Sequence, residues 1–246
     1  MSQHMRYGRG TVKVDLAEDG CRGILQPTLP PPIANPNEAI TRCLDDPVGS
    51  KPLSQIVAGR RKVVVVIPDV TRGEAIQVYL PPLLRYLERH GAGRENVTIL
   101  TATGAHRTHS DAEREALVGA EAAHGWTVAD HDPDSGNDDL EPLDEATPFA
   151  VDKRAVESDC LILAGVVSYH YCAGFGGGRK LIAPGLCSRA TVQALHRRTL
   201  ANIDAEGRWR SRTGVLRGNP FHEILERAAL RLKPAFALNV ALSWDR

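Results

Sequence analysis

From residue 62 onward, unbroken apolar β-branched runs alternate with helix-forming stretches, and this constrains the fold more than any other feature. "KVVVVIPD" at 62–69 has no polar residue between Val63 and Pro68, so the strand it predicts must be covered on both faces, as in a parallel sheet. "YLPPLLRYLERHGAG" at 79–93 predicts a helix with prolines in its first turn and glycine at its end. "VTILTATG" at 97–104 predicts a second strand, and Ser110 with Glu113 forms a capping box that starts a helix at Ser110. Further strands are expected at 126–132, 159–168 and 236–243, and helices at 188–200, where Ser188 is the cap, and at 219–232. Strand and helix in turn give an α/β fold, a Rossmann-like parallel sheet with helices on both faces.

Residues 1–60 read as a lead-in: the alternating "TVKVDL" as a small edge strand, the proline-rich connector "QPTLPPPIANP", and a short helix around 37–44. Residues 61–246 read as the α/β domain. At 246 residues the chain can bury a sizeable core without staples. Its 30 basic and 30 acidic residues cancel, which argues against a nucleic acid or an anionic membrane as partner. The five cysteines are scattered without a CxxC pair, so neither a disulfide framework nor a zinc knuckle is expected. No apolar run approaches the roughly 20 residues that span a bilayer, and the start "MSQHMRYGRG" lacks the apolar core of a signal peptide. The expected location is a reducing cytoplasm.

In open parallel sheets ligands bind outside the carboxyl ends of the strands, and those ends carry polar clusters: "PDVTR" at 68–72, "TGAHRTH" at 103–109 and "SYHYCAGFGGGRK" at 168–180. Asp69 can pair with Arg72 and hold its guanidinium to clamp a carboxylate or phosphate; an ordinary loop ion pair is the bland alternative. His106 has the chemistry of a general base near neutral pH, though a satisfied loop histidine is as common, while His109 reads as an exposed residue before the helix cap. The glycines after His170, including Gly176, Gly177 and Gly178, remove side chains so that something bulky can approach the main chain. Arg179 before Lys180 and Leu181 after it break the Walker pattern, and the dinucleotide fingerprint fails at its third glycine. A desolvated Lys180 beside a permanent cation is a candidate nucleophile or covalent attachment point; a solvated surface lysine is the alternative. His170 and His196 could also ligate a metal, or His196 could simply join Arg197 and Arg198 in a basic helix end.

In combination, "PDVTR", "GAHR" and "HYCAGFGGGRKLIAPG", followed by a helix bearing "LH", resemble the N-terminal domain of the nickel-dependent lactate racemase family over roughly residues 35 to 246. The resemblance implies a nickel pincer nucleotide, a pyridinium mononucleotide with two sulfur-bearing arms, tethered by a thioamide at the position of Lys180. His196 matches the protein ligand of the nickel, His106 and His170 the pair of bases, and Asp69 and Arg72 further active-site residues. It further implies a hydride shuttle in which a 2-hydroxy acid becomes a 2-oxo acid and the hydride returns to its other face. Cys172 and the third consecutive glycine, Gly178, depart from the pattern around the tether without removing it. Family members continue into a second α/β domain that closes over the site, absent from this chain, so weak or no racemase activity is expected of these residues alone. The reading is a 2-hydroxy acid racemase or epimerase, or its cofactor-binding part. Alternatives are a non-catalytic cofactor-carrying subunit completed by a partner chain, and a redox enzyme that releases a net 2-oxo acid.

Overall fold

The computed structural model describes residues 2–8, 10–17, 22–23, 28, 31–73, 75–200 and 202–242. Two compact units emerge, one of which takes in Met1–Pro32 and the other Ile33–Leu242. In the first, β1 (Ser2–Tyr7) and β2 (Gly10–Asp15) pair antiparallel, with Ser2 opposite Asp15 and Tyr7 opposite Gly10. The alternating segment expected as an edge strand is thus half of a hairpin, because its main-chain partners lie in the residues just before it. Part of the proline-rich connector, residues 26–27 and 29–30, lies outside the described residues.

In the second unit α1 (Pro36–Asp45) and α2 (Leu53–Val57) precede β3 (Val63–Pro68) and α3 (Ile76–Arg89). There follow β4 (Val97–Ala102), α4 (Asp111–Val118), α5 (Ala120–Gly125) and β5 (Thr127–Asp130). A hairpin of β6 (Asn137–Asp144) and β7 (Thr147–Asp152) leads through α6 (Lys153–Val156) to β8 (Cys160–Val167). The chain continues through the short pair β9 (Tyr169–His170) and β10 (Gly174–Phe175) and the single turn α7 (Arg179–Ile182). Helices α8 (Arg189–Leu200) and α9 (Pro220–Leu232) lead to β11 (Phe236–Ala241). The unit begins ahead of the boundary expected at residue 61, because Leu44, Leu53 and Val57 are buried in the same core as Val63 and Val65.

Five strands form one parallel sheet in the order β11-β8-β3-β4-β5, as the apolar runs predict. Every residue of β3 is buried, and successive side chains leave it on opposite faces. Val63, Val65 and Ile67 join Leu80, Leu83 and Leu87 of α3, whereas Val64 and Val66 join Ile182, Leu195 and Leu225. Each fully buried leucine in these layers contributes roughly 2 kcal/mol. The prolines of α3 lie inside the helix and not in its first turn, since the helix starts at Ile76, ahead of Pro81 and Pro82. The missing N–H groups fall at the sixth and seventh of its 14 residues, and its buried apolar face offsets their loss. The capping box forms as read: Ser110 Oγ accepts the Glu113 N–H and Glu113 accepts the Ser110 N–H. Ser188 Oγ likewise accepts the Thr191 N–H at the start of α8.

Candidate active site

From β3 the sheet grows one way through β4 and β5 and the other way through β8 and β11, so the strand order reverses between β3 and β8. The carboxyl ends of strands at such a switch point leave a crevice, and here the loops after β3, β4 and β8 border a cleft of about 360 Å³. Asp69, Arg72, His106 and His170 line it, with Gly176, Gly177, Lys180 and His196. Gly178 and Arg179 do not: the Gly178 N–H donates to Asn239 Oδ1 at 3.2 Å, and Arg179 Nη2 donates to the Ala173 carbonyl at 2.8 Å.

Asp69 does not pair with Arg72. A turn brings the Arg72 N–H to the Asp69 carbonyl at 3.0 Å, and the Asp69 carboxylate turns to Thr71 Oγ1 at 2.6 Å and to His106 Nδ1 at 2.5 Å. The Asp69 side chain is 5% exposed and that of His106 61% exposed, so a sheltered carboxylate orients an imidazole that solvent reaches. With Nδ1–H donating to Asp69, Nε2 carries the lone pair, the arrangement of a general base with its orienting acid. The Arg72 guanidinium is left to act on Lys180 and His170, lowering the pKa of each.

Lys180 sits in α7, where burial above all, then Arg72 and Arg179, push its pKa down to about 8. Its Nζ lies 2.7 Å from His170 Nε2. Burial first, then the cations Lys180 and Arg72, push His170 down to about 3. On α8, His196 Nδ1 donates to the Val192 carbonyl at 2.8 Å, which leaves the Nε2 lone pair for a ligand. The glycines have a reason inside the chain itself. At Gly177, with φ +73°, a Cβ would stand 3.1 Å from both the Val166 carbonyl oxygen and Asn239 Oδ1.

His109 is buried and not exposed, because Asp130 takes both its backbone N–H at 2.7 Å and Nδ1 at 2.9 Å. Sequence reasoning also passed over Thr71 and Asn239. Thr71 had a signal in its Asx-turn spacing from Asp69, whereas Asn239, on the far strand, had none. Cys43, Cys160, Cys172 and Cys187 are free thiols; Cys21 lies outside the described residues.

Residues 7–207 match the lactate racemase N-terminal domain. The chain belongs to that family. It is 33% identical over 241 residues to the lactate racemase of Thermoanaerobacterium thermosaccharolyticum, covering 96% of this chain and 55% of that protein. It is also 33% identical over 211 residues to the lactate racemase of Lactiplantibacillus plantarum, covering 85% of this chain and 48% of that one. The solved lactate racemase apoprotein from T. thermosaccharolyticum superposes with a TM-score of 0.87 at 30% identity, over 99% of this chain and 56% of that one. A Thermotoga maritima protein shares the fold at a TM-score of 0.65 and 22% identity, over 86% of this chain and 51% of its own. The chain spans about half the length of the curated relatives it matches. Among the described residues no helix is long and apolar enough to cross a membrane.

Proposed function

We propose that the chain is the cofactor-binding N-terminal part of a racemase or epimerase of lactate-like 2-hydroxy acids that works through a nickel pincer nucleotide attached at Lys180. The observation that carries this reading is the meeting of Asp69, Arg72, His106, His170, Lys180 and His196 in one cleft at the switch point of a sheet with this family membership. The donor set fits such a group. Among the described residues no three His, Cys, Asp or Glu side chains are grouped to hold a metal, so an ion bound here must bring most of its own donors and need only His196 Nε2 from the protein. Lys180, with its pKa drawn down to about 8, suits covalent attachment, and Gly176 and Gly177 border the cleft without side chains. When bound, the pincer nucleotide supplies the acceptor and donor for the hydrogen on the substrate's α-carbon.

The remaining work falls to the chain's own residues. His106 Nε2 takes the substrate's hydroxyl proton, and Asp69, held by Thr71, steadies the charge that the imidazole acquires. Arg72 receives an anionic group, a task suited to its planar fork. His170 is the second group at the substrate's hydroxyl, and its place beside Lys180 keeps it at the point of attachment. With His106 so exposed, the cleft does not exclude water by itself, so a closing domain completes the enzyme and this chain alone turns over weakly or not at all. The same exposure favours a second reading, a cofactor-carrying subunit completed by a partner chain, which would bind cofactor and show no turnover until that partner is added. A cytoplasmic location belongs to the same proposal and is supported by the free thiols.

Co-expression with a pincer-nucleotide biosynthesis system tests the reading through intact mass and bound nickel. The wild type is expected to carry both and Lys180→Ala to lose the covalent adduct. An unmodified, nickel-free wild type from cells shown to make the cofactor would overturn it.

A further inference from the structure

His170 Nδ1 accepts backbone N–H groups from Cys172 at 3.3 Å and from Ala173 at 3.1 Å. A neutral imidazole carries one ring proton, and with Nδ1 committed as an acceptor that proton resides on Nε2. Nε2 in turn lies 2.7 Å from Lys180 Nζ. An ammonium has three donors and no lone pair, so it would set N–H against N–H across this contact. A neutral amine accepts the Nε2 proton. Hence the state that satisfies all three contacts is an uncharged imidazole donating to an uncharged amine. Burial and the guanidinium groups of Arg72 and Arg179 act in the same direction on Lys180.

We propose that the main chain around residues 172–173, by imposing the Nε2–H tautomer on His170, holds Lys180 as a free amine that acylates itself with small activated acyl donors of the acyl phosphate class. In that step Nζ attacks the acyl carbon, a C–N bond forms and the C–O bond to phosphate breaks. The phosphate leaves with the proton that the nitrogen sheds, and no atom changes oxidation state. The cleft gives a small donor access to Nζ, and the nearby arginines favour an anionic one. The inference rests on the proposed function only for the natural acyl group; the state of the amine follows from the contacts.

The test is peptide mass spectrometry of the purified, cofactor-free chain during incubation with acetyl phosphate at a pH of about 7.5. Lys180 is expected to be acetylated about tenfold faster or more than Lys13, Lys51, Lys62, Lys153 and Lys233, all exposed, because more of it is neutral. His170→Phe, checked for folding by circular dichroism, is expected to slow Lys180 severalfold while leaving it faster than the exposed lysines, because burial, Arg72 and Arg179 still act on it. Should that variant not fold, the ring ¹⁵N spectrum of wild-type His170 decides, with the Nε2–H tautomer expected. A wild-type Lys180 no faster than the exposed lysines, an unchanged rate in folded His170→Phe, or an Nδ1–H tautomer each overturns the proposal. Selective acetylation with no adduct in cofactor-making cells would instead sink the proposed function and leave this inference standing. An adduct without selective acetylation would do the reverse.

Discussion

His109 Nε2 accepts the backbone N–H of Val70 at 3.3 Å while its Nδ1 is bonded to Asp130 at 2.9 Å. Nδ1–H donates to the carboxylate, and the ring ties the loop that carries Asp69 and Arg72 to the segment that follows His106. His109→Ala would leave Asp130, whose side chain is 3% exposed, with Arg114 as its remaining side-chain partner. The expected loss is about 2–3 kcal/mol of stability. Urea denaturation checks it, and an unchanged midpoint would show that the buried pair contributes nothing.

Acid stability should depend on Asp152. Burial alone would raise its pKa, but hydrogen bonds from Arg154 and His131 outweigh that and hold it at about 2, below its ordinary 3.8. A carboxyl depressed in the folded state adds stability above its unfolded pKa and loses it as pH falls through the folded one, here between about pH 4 and 2. Asp152→Asn is expected to lower stability at neutral pH by about 2 kcal/mol and to flatten the decline across that window. A pH series of urea midpoints for both proteins would reveal an unaltered slope if Asp152 were not responsible.

Gly174 and Gly136 separate crowding from backbone conformation. Both have positive φ, but a Cβ at Gly174 would fall 2.3 Å from the Val215 carbonyl oxygen, whereas at Gly136 nothing stands within 4 Å. Gly136→Ala should cost about 1–2 kcal/mol, and Gly174→Ala distinctly more because main chain must move. Thermal melts of the two variants give the comparison; equal losses would refute the crowding argument.

Under the proposed function, attachment and metal binding use different residues. His196→Ala is expected to keep the mass adduct at Lys180 and lose most of the nickel, whereas Lys180→Ala loses the adduct itself. Mass and metal content measured on the same sample distinguish these, and nickel retained at wild-type level in His196→Ala would rule out this histidine as the ligand.

The sheet was legible because its central strand is buried on both faces, and a run such as Val63–Pro68 tolerates no polar residue. The hairpin of β6 and β7 was not, since "NDDLEPLD" is acidic and contains Pro142, the marks of a loop. A register shift between Leu140 and Asp144 accommodates that stretch, and Leu143, Phe149 and Val151 still reach the core. Cleft residues were found because they follow strand ends, but their pairings were hidden. Asp69 is as close in sequence to Arg72 as a salt bridge could ask, yet bonds His106, 37 residues on. The fully buried His131, bonded to Asp152 and to the Cys187 carbonyl, depends on contacts across 21 and 56 residues that no local spacing announces.

Asn239, on β11, holds the amide of Gly178 immediately ahead of the turn that carries Lys180. During synthesis the lysine therefore leaves the ribosome long before the residue that completes its surroundings. A nascent chain arrested short of residue 239 lacks this tie on Gly178, and the turn that carries Lys180 is expected to be fixed in place only once β11 has been made.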